Sequence, residues 1–275
     1  MVLALSALAP RAWLHAGRCP LRRGWRPAAR GLSASGAPPG LFEMRQTEVH
    51  PPRAGEFLDL LKASPLVGKS PLGIWTTDIG ESSSRLYHLY HWADYDERDA
   101  CRAAFDCSTG AGDARRCWET CAAHEASSIF VEASTTLSAV GLPGALESAS
   151  AELRDGAAAP AGSAAVYELR TYRLKLGYAT VPRFLELYGA GLRDKLSADG
   201  SGQSRLVSLL YSEAGAAPLN TVLELWRHKS LQGSQVSRAA SRAAPAWRQA
   251  VGDIAELAVT FNTQFLRPAE GSPLR

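Results

Sequence analysis

Val166-Tyr167-Glu168-Leu169-Arg170-Thr171-Tyr172-Arg173 has the two-residue alternation of a β-strand, with an acid and an arginine on one face. The same order stands 125 positions earlier in Leu41-Phe42-Glu43-Met44-Arg45-Gln46-Thr47. The pattern downstream of each copy also matches, so the 275-residue chain reads as two related units.

In the first unit the strand at 41–49 is broken by Pro51-Pro52, and residues 53–62 carry helical spacing through Phe57, Leu58, Leu60 and Leu61. Strands at 72–77 and 85–92 flank the hairpin turn Asp78-Ile79-Gly80-Glu81-Ser82. Residues 94–124 are helical with a break at 108–112, and 127–132 closes the unit. The second unit repeats this order. A strand at 166–174 leads into a helix at 178–196, then strands at 205–211 and 220–226, a helix at 230–251 and a strand at 255–266. Two βαββαβ units predict an α+β chain of two tandem ferredoxin-like domains, each with one sheet face covered by helices. The domains are placed at 41–137 and 165–268, with an Ala/Gly/Ser/Pro-rich linker at 138–164 holding about one helical turn, and a tail at 269–275.

The net charge of +3 is set by the N-terminus. Residues 1–42 hold six arginines (Arg11, Arg18, Arg22, Arg23, Arg26, Arg30) and no acid, leaving 24 basic against 27 acidic residues. The folded part therefore lacks the basic field of a nucleic-acid binder. Residues 1–40 have the composition of a mitochondrial transit peptide, and Arg30-Gly31-Leu32-Ser33 fits an arginine-led cleavage site. A secretory signal would carry its basic residues ahead of the apolar run at 2–9, not behind it. The five cysteines, four of them between 101 and 121, do not form a spread disulfide framework, so free thiols in a reducing matrix are expected. No apolar run reaches the roughly 20 residues of a membrane-spanning helix.

Splitting the strands by parity assigns Tyr167, Leu169, Leu223 and Leu225, with Phe42, Met44, Tyr87 and Leu89, to the face beneath the helices. His91 shares that parity. The opposite face, turned toward the other sheet, receives Glu43, Arg45, His88, Tyr90 and Trp92 from the first unit. From the second it receives Glu168, Arg170, Glu224, Trp226 and His228. This pattern admits two readings. Glu43–Arg45 and Glu168–Arg170 either neutralise each other structurally or line a polar, aromatic ligand cavity between the sheets. In the second reading Arg45 and Arg170 contact an anionic group, and Tyr90, Trp92 and Trp226 form stacking walls.

Other patterns lead nowhere specific. Ala63-Ser64-Pro65-Leu66-Val67-Gly68-Lys69-Ser70 mimics a phosphate loop but follows a helix and lacks glycines. Cys117, Cys121 and His124 share a helical stripe without the short CxxC spacing of a zinc knuckle. His228 stands about 13 Å along an extended strand from Glu224, too far for a hydrogen bond. No catalytic set, metal site or cofactor site is assigned.

Tyr167-Glu168-Leu169-Arg170-Thr171-Tyr172 resembles the opening of a NIPSNAP domain. Leu86-Tyr87-His88-Leu89-Tyr90-His91-Trp92-Ala93-Asp94-Tyr95, followed by Arg98, is similar to that family's aromatic segment, and Trp118, Trp247 and Phe265-Leu266-Arg267-Pro268 fit as well. The chain departs from the family pattern at Met44, at Gln46, at Trp226-Arg227-His228-Lys229 and in the turn at 214–220. The resemblance implies a mitochondrial protein with no enzymatic activity, whose two tandem ferredoxin-like domains close on each other as a dimeric-α/β-barrel-like pseudo-dimer. It implies work in mitochondrial quality control through recruitment of autophagy adaptors, with homo-oligomers a further expectation. The alternative is a small-ligand-binding protein or monooxygenase-like enzyme that uses the cavity between the sheets.

Overall fold

The computed structural model describes residues 40–63, 68–108, 110–154 and 165–275. The transit-peptide assignment therefore lies outside the described residues, apart from Gly40, as do residues 64–67 of the phosphate-loop-like segment.

Each half is a βαββαβ unit. The first runs β1 (Leu41–Val49), α1 (Ala54–Ala63), β2 (Gly73–Ile79), β3 (Arg85–Trp92), α2 (Tyr95–Asp106), α3 (Ala111–Cys121) and β4 (Ala122–Glu132). After α4 (Ser134–Ser138) and α5 (Ala145–Arg154), the second runs β5 (Val166–Leu174), α6 (Thr180–Ala198), β6 (Ser204–Gly215), β7 (Thr221–His228), α7 (Leu231–Ala243), α8 (Pro245–Ala255) and β8 (Ala258–Pro268). Local chemistry marks the helix starts. Asp94 caps α2 by accepting from the Glu97 amide at 2.8 Å, and Ser230 caps α7 by accepting from the Gly233 amide at 2.9 Å. The helix read as continuous over 230–251 is divided, because Pro245 cannot extend α7 and instead opens α8.

The eight strands form one closed antiparallel barrel in the order β1-β3-β2-β8-β5-β7-β6-β4. β2 pairs with β8 and β4 with β6, so the halves are joined by backbone hydrogen bonds along two seams. Backbones approach closely at the second seam, where a Cβ on Gly215 (φ +111°) would lie 2.4 Å from the Ser127 carbonyl oxygen.

Closure reverses the expected strand faces. Phe42, Met44, Trp75, Tyr87, Leu89, Phe130, Tyr167, Leu169, Leu210, Leu223, Leu225 and Leu266, drawn from all eight strands, form one cluster inside the barrel. Phe42 there packs on His91 with ring centroids 5.1 Å apart and planes tilted by 59°, so His91 also lies on this side. Glu43, Arg45, His88, Tyr90, Trp92, Glu168, Arg170, Glu224, Trp226 and His228 instead occupy the outer surface, under the helices. Phe57 of α1 and Trp118 of α3 pack on His88, and Trp226 joins the cluster built on α6 and α8. No polar cavity between the sheets is formed by these residues. Inside the closed barrel each strand faces the apolar side chains of the others, where an unpaired charge is costly, so the interior takes the apolar set. The segment expected to hold a single turn contains the ten-residue α5, whose Ala145 and Ala149 pack into the interior cluster, as does Leu274 of the tail.

The interior assignment predicts a large penalty for Trp75→Ala. Trp75 is fully buried and packs on Tyr167 of the other half, ring centroids 5.3 Å apart. Denaturant unfolding should show a loss of about 3–5 kcal/mol, against less than about 0.5 kcal/mol for Tyr178→Ala on the surface. Equal small effects would contradict the packed interior.

Candidate functional site

Beneath the helices, both halves place a fully buried glutamate on their first strand. Glu43 accepts Arg98 Nε at 2.8 Å and Nη2 at 3.1 Å, Trp92 Nε1 at 3.1 Å and Ser127 Oγ at 2.6 Å. Glu168 accepts Arg170 Nε at 2.6 Å and Nη2 at 3.1 Å, Thr263 Oγ1 at 2.8 Å, and a further bond from Arg238 of α7. His228 Nε2 lies 3.0 Å from Glu168, while its Nδ1 lies 2.6 Å from Ser204 Oγ. Burial acts to raise both carboxyls, but the donors outweigh it and hold both below the usual carboxylate range. The register equates Ser127 with Thr263 and Trp92 with His228, so the repeat extends to the hydrogen bonds.

The halves then diverge. The expected Glu168–Arg170 pair forms, but Glu43 and Arg45 take separate partners: Glu43 binds Arg98 and Arg45 binds Glu125 of β4. Glu125 occupies the register position held by Phe261 in the second half. The Arg45–Glu125 pair lines a cavity of only about 130 Å³. His88, fully buried between Thr47 and Tyr90 and near Arg45, has its pKa pushed by desolvation and that charge down to about 3, so it is neutral.

In the second half the same layer opens into a cavity of about 550 Å³ between β5, β8, α6, α7 and α8. Of the expected site residues Glu168 and Arg170 line it, whereas Glu224, Trp226 and His228 do not. Arg238, Arg242 and Arg248 add positive charge, Lys195 lines the same cavity, and Tyr172, Trp247, Val251, Ile254, Val259 and Phe261 form apolar walls. Arg242 and Arg248 have no ion-pair partner among the described residues. The expectation from sequence missed Lys195, Arg238, Arg242 and Arg248, because it sought the site between the sheets and not under the helices.

Lys195 is the most unusual of these. It is 3% exposed, its Nζ has no hydrogen-bond partner, and it lies 3.8 Å from the Trp226 ring centroid and 4.3 Å from that of Trp247. Burial, reinforced by Arg170, lowers its pKa to about 7, against partial compensation from Glu224 and Glu168. α6 is 19 residues long and α1 only ten, so the first half ends its helix before the corresponding position.

A second cluster, Glu56, Cys117 and Cys121, brings its ligand atoms within 4.8 Å of one another. It supplies three donors, and the Cys117 thiol is pushed up to about 11 by desolvation and by Cys121, which opposes the thiolate a metal needs. His124, expected on the same stripe, lies on β4 and outside that group. Cys101, Cys107, Cys117 and Cys121 are free thiols.

A buried lysine of lowered pKa destabilises the fold most when it must be charged. The unfolded chain binds that proton up to about pH 10.5 and the folded chain only up to about pH 7, so this contribution makes stability rise with pH between those values. Lys195→Met should raise the melting temperature by at least about 3 °C at pH 6, with the gain shrinking toward pH 10. Thermal scans across that range check this, and a gain that grew with pH would contradict it.

The NIPSNAP family profile matches residues 42–134 and 167–273, one match on each half. A NIPSNAP family protein of unknown function from Agrobacterium tumefaciens str. C58 is 30% identical, with a TM-score of 0.37 over 42% of this chain and 96% of its own. A putative monooxygenase from Fusobacterium nucleatum is 10% identical and covers 84% of this chain and 92% of its own, with a TM-score of 0.52. An anthrone oxidase-like protein, also 10% identical, covers 86% and 95%, with a TM-score of 0.51. At these identities the two larger structures share the fold alone with this chain. Comparison with curated proteins returns no significant match. Matched along both halves, and over well over half its length, the chain belongs to the NIPSNAP family.

Proposed function

We infer that the second half binds a small anionic molecule with an apolar body in the cavity between β5, β8 and the helices. The observation that carries this is a charge imbalance inside an apolar pocket. Arg238, Arg242 and Arg248 join Arg170 around a cavity whose one lining acid, Glu168, already accepts from Arg170, Arg238 and Thr263. Its volume of about 550 Å³ suits a ligand of modest size. Val251, Val259 and Phe261 remain 42%, 58% and 50% exposed at the rim, leaving apolar surface for a ligand tail. The first half, with Arg45 bound to Glu125 in a small cavity, serves as scaffold.

Octanoate is a suitable probe. It should raise the melting temperature in a saturable way, octanol should not, and Arg242→Ser with Arg248→Ser should weaken octanoate binding by about tenfold. Equal responses to octanoate and octanol, or none to either, would remove this reading.

A second reading concerns where the protein works and with what. Its support is the run of six arginines without an acid in residues 1–42, together with family membership. In this reading the chain enters mitochondria, with the matrix as its destination, and acts without catalysis as an interaction protein in quality control, meeting autophagy adaptors as partners. Replacing Arg22, Arg23, Arg26 and Arg30 with Ala in a fluorescent fusion should abolish co-localisation with mitochondria. Unchanged import would overturn the leader assignment.

A further inference from the structure

We propose that Lys195 is a nucleophilic amine that forms an imine with the carbonyl group of a small apolar keto acid bound in the second-half cavity. This rests on the anion-binding reading above and adds the ligand's reactive group. Among the described residues Lys195 Nζ makes neither a hydrogen bond nor an ion pair. Its Nζ is held between the indoles of Trp226 and Trp247 and contributes to the cavity wall. Around it, Glu168 and Arg170 bind each other, Glu224 Oε2 accepts from Trp226 Nε1 at 2.6 Å and from Arg170, and Arg238 binds Glu168, while Glu224 Oε1 has no hydrogen-bond partner and Arg242 and Arg248 have no ion-pair partner among the described residues. Burial and the Arg170 charge favour the free amine near neutral pH, the form that attacks a carbonyl.

The step balances without a co-reactant. The Nζ lone pair adds to the carbonyl carbon and the C=O π pair moves to oxygen. A proton passes from nitrogen to that oxygen, giving a carbinolamine. Loss of its hydroxyl as water, with the second N–H proton, leaves the C=N bond. The apolar walls of Trp247, Ile254 and Phe261 disfavour the returning water. The acid's carboxylate would lie toward Arg238, Arg242 and Arg248 and its tail toward Val251 and Val259. The repeat provides an internal contrast, since Lys69, next to the corresponding position of the first half and also over an indole, is ion-paired with Glu97 at 2.7 Å.

The experiment is reductive trapping on the full chain. The protein is incubated with 2-oxooctanoate and cyanoborohydride at pH 7.5, then mapped by peptide mass spectrometry. Lys62, Lys69, Lys175 and Lys229, which are more exposed, serve as controls. The expected result is an adduct on Lys195 at least about tenfold faster than on any of these four, suppressed by excess octanoate and absent from Lys195→Met. Adducts confined to the four control lysines, with octanoate still stabilising the protein, would overturn the imine and leave the anion site standing. Loss of the octanoate response as well would remove both.

Discussion

The structure depends on barrel closure. Each of the eight strands has a hydrogen-bonded neighbour on both sides, so no edge is left open. An unpaired charge is costly inside such a barrel, and its interior is built on an aliphatic and aromatic cluster, with polar residues such as Gln264 and Glu132 hydrogen-bonded to Tyr87 and Ser208 respectively. Glu43, Arg45, Glu168 and Arg170 lie on the outer surface. There the helices cover them and can supply side chains of their own, Arg98 from α2 and Arg238 from α7. The position of the candidate site follows from that division.

A buried carboxylate is tolerated only with several donors, and both halves meet this need in a related way. Glu43 and Glu168 each accept from an arginine on a following helix, from a hydroxyl on the last strand and from an aromatic nitrogen on the third strand or its counterpart. Because these bonds hold the strands in register with the helices, this part of the repeat is structural. The surroundings differ. Glu125 closes the first layer on Arg45, while Phe261 at the matching position leaves the second open, and the longer α6 carries Lys195 into the space. One half has kept the frame, and the other has a frame with a cavity.

Read along the chain, the two copies beginning at Leu41 and Val166, the hairpin-linked strands and the helix-start residues at 94 and 230 were enough for the element order and the pairing of halves. The residues of the polar layer were also identifiable, since Glu43, Arg45, Glu168, Arg170, Glu224, Trp226 and His228 stand out by parity alone. Which way that layer faces was not identifiable. Period-two alternation separates two faces but carries no label for which is covered by helices, and the usual rule of apolar residues beneath helices fails when the other face is a closed lumen. The Glu43–Arg45 pairing failed for a related reason, as Glu125 and Arg98 are distant in sequence and near only in space.

By itself the sequence determined the repeat, the strand and helix order, the family resemblance and the set of charged strand residues, because each is a local pattern of spacing. Only the tertiary structure decided that the lumen is apolar, that Val166-Tyr167-Glu168-Leu169-Arg170 turns its charges under the helices, and that Lys195 meets Trp226 and Trp247 at an open cavity. Those facts depend on which surfaces water can reach. Water access is a property of the closed barrel, not of any segment within it.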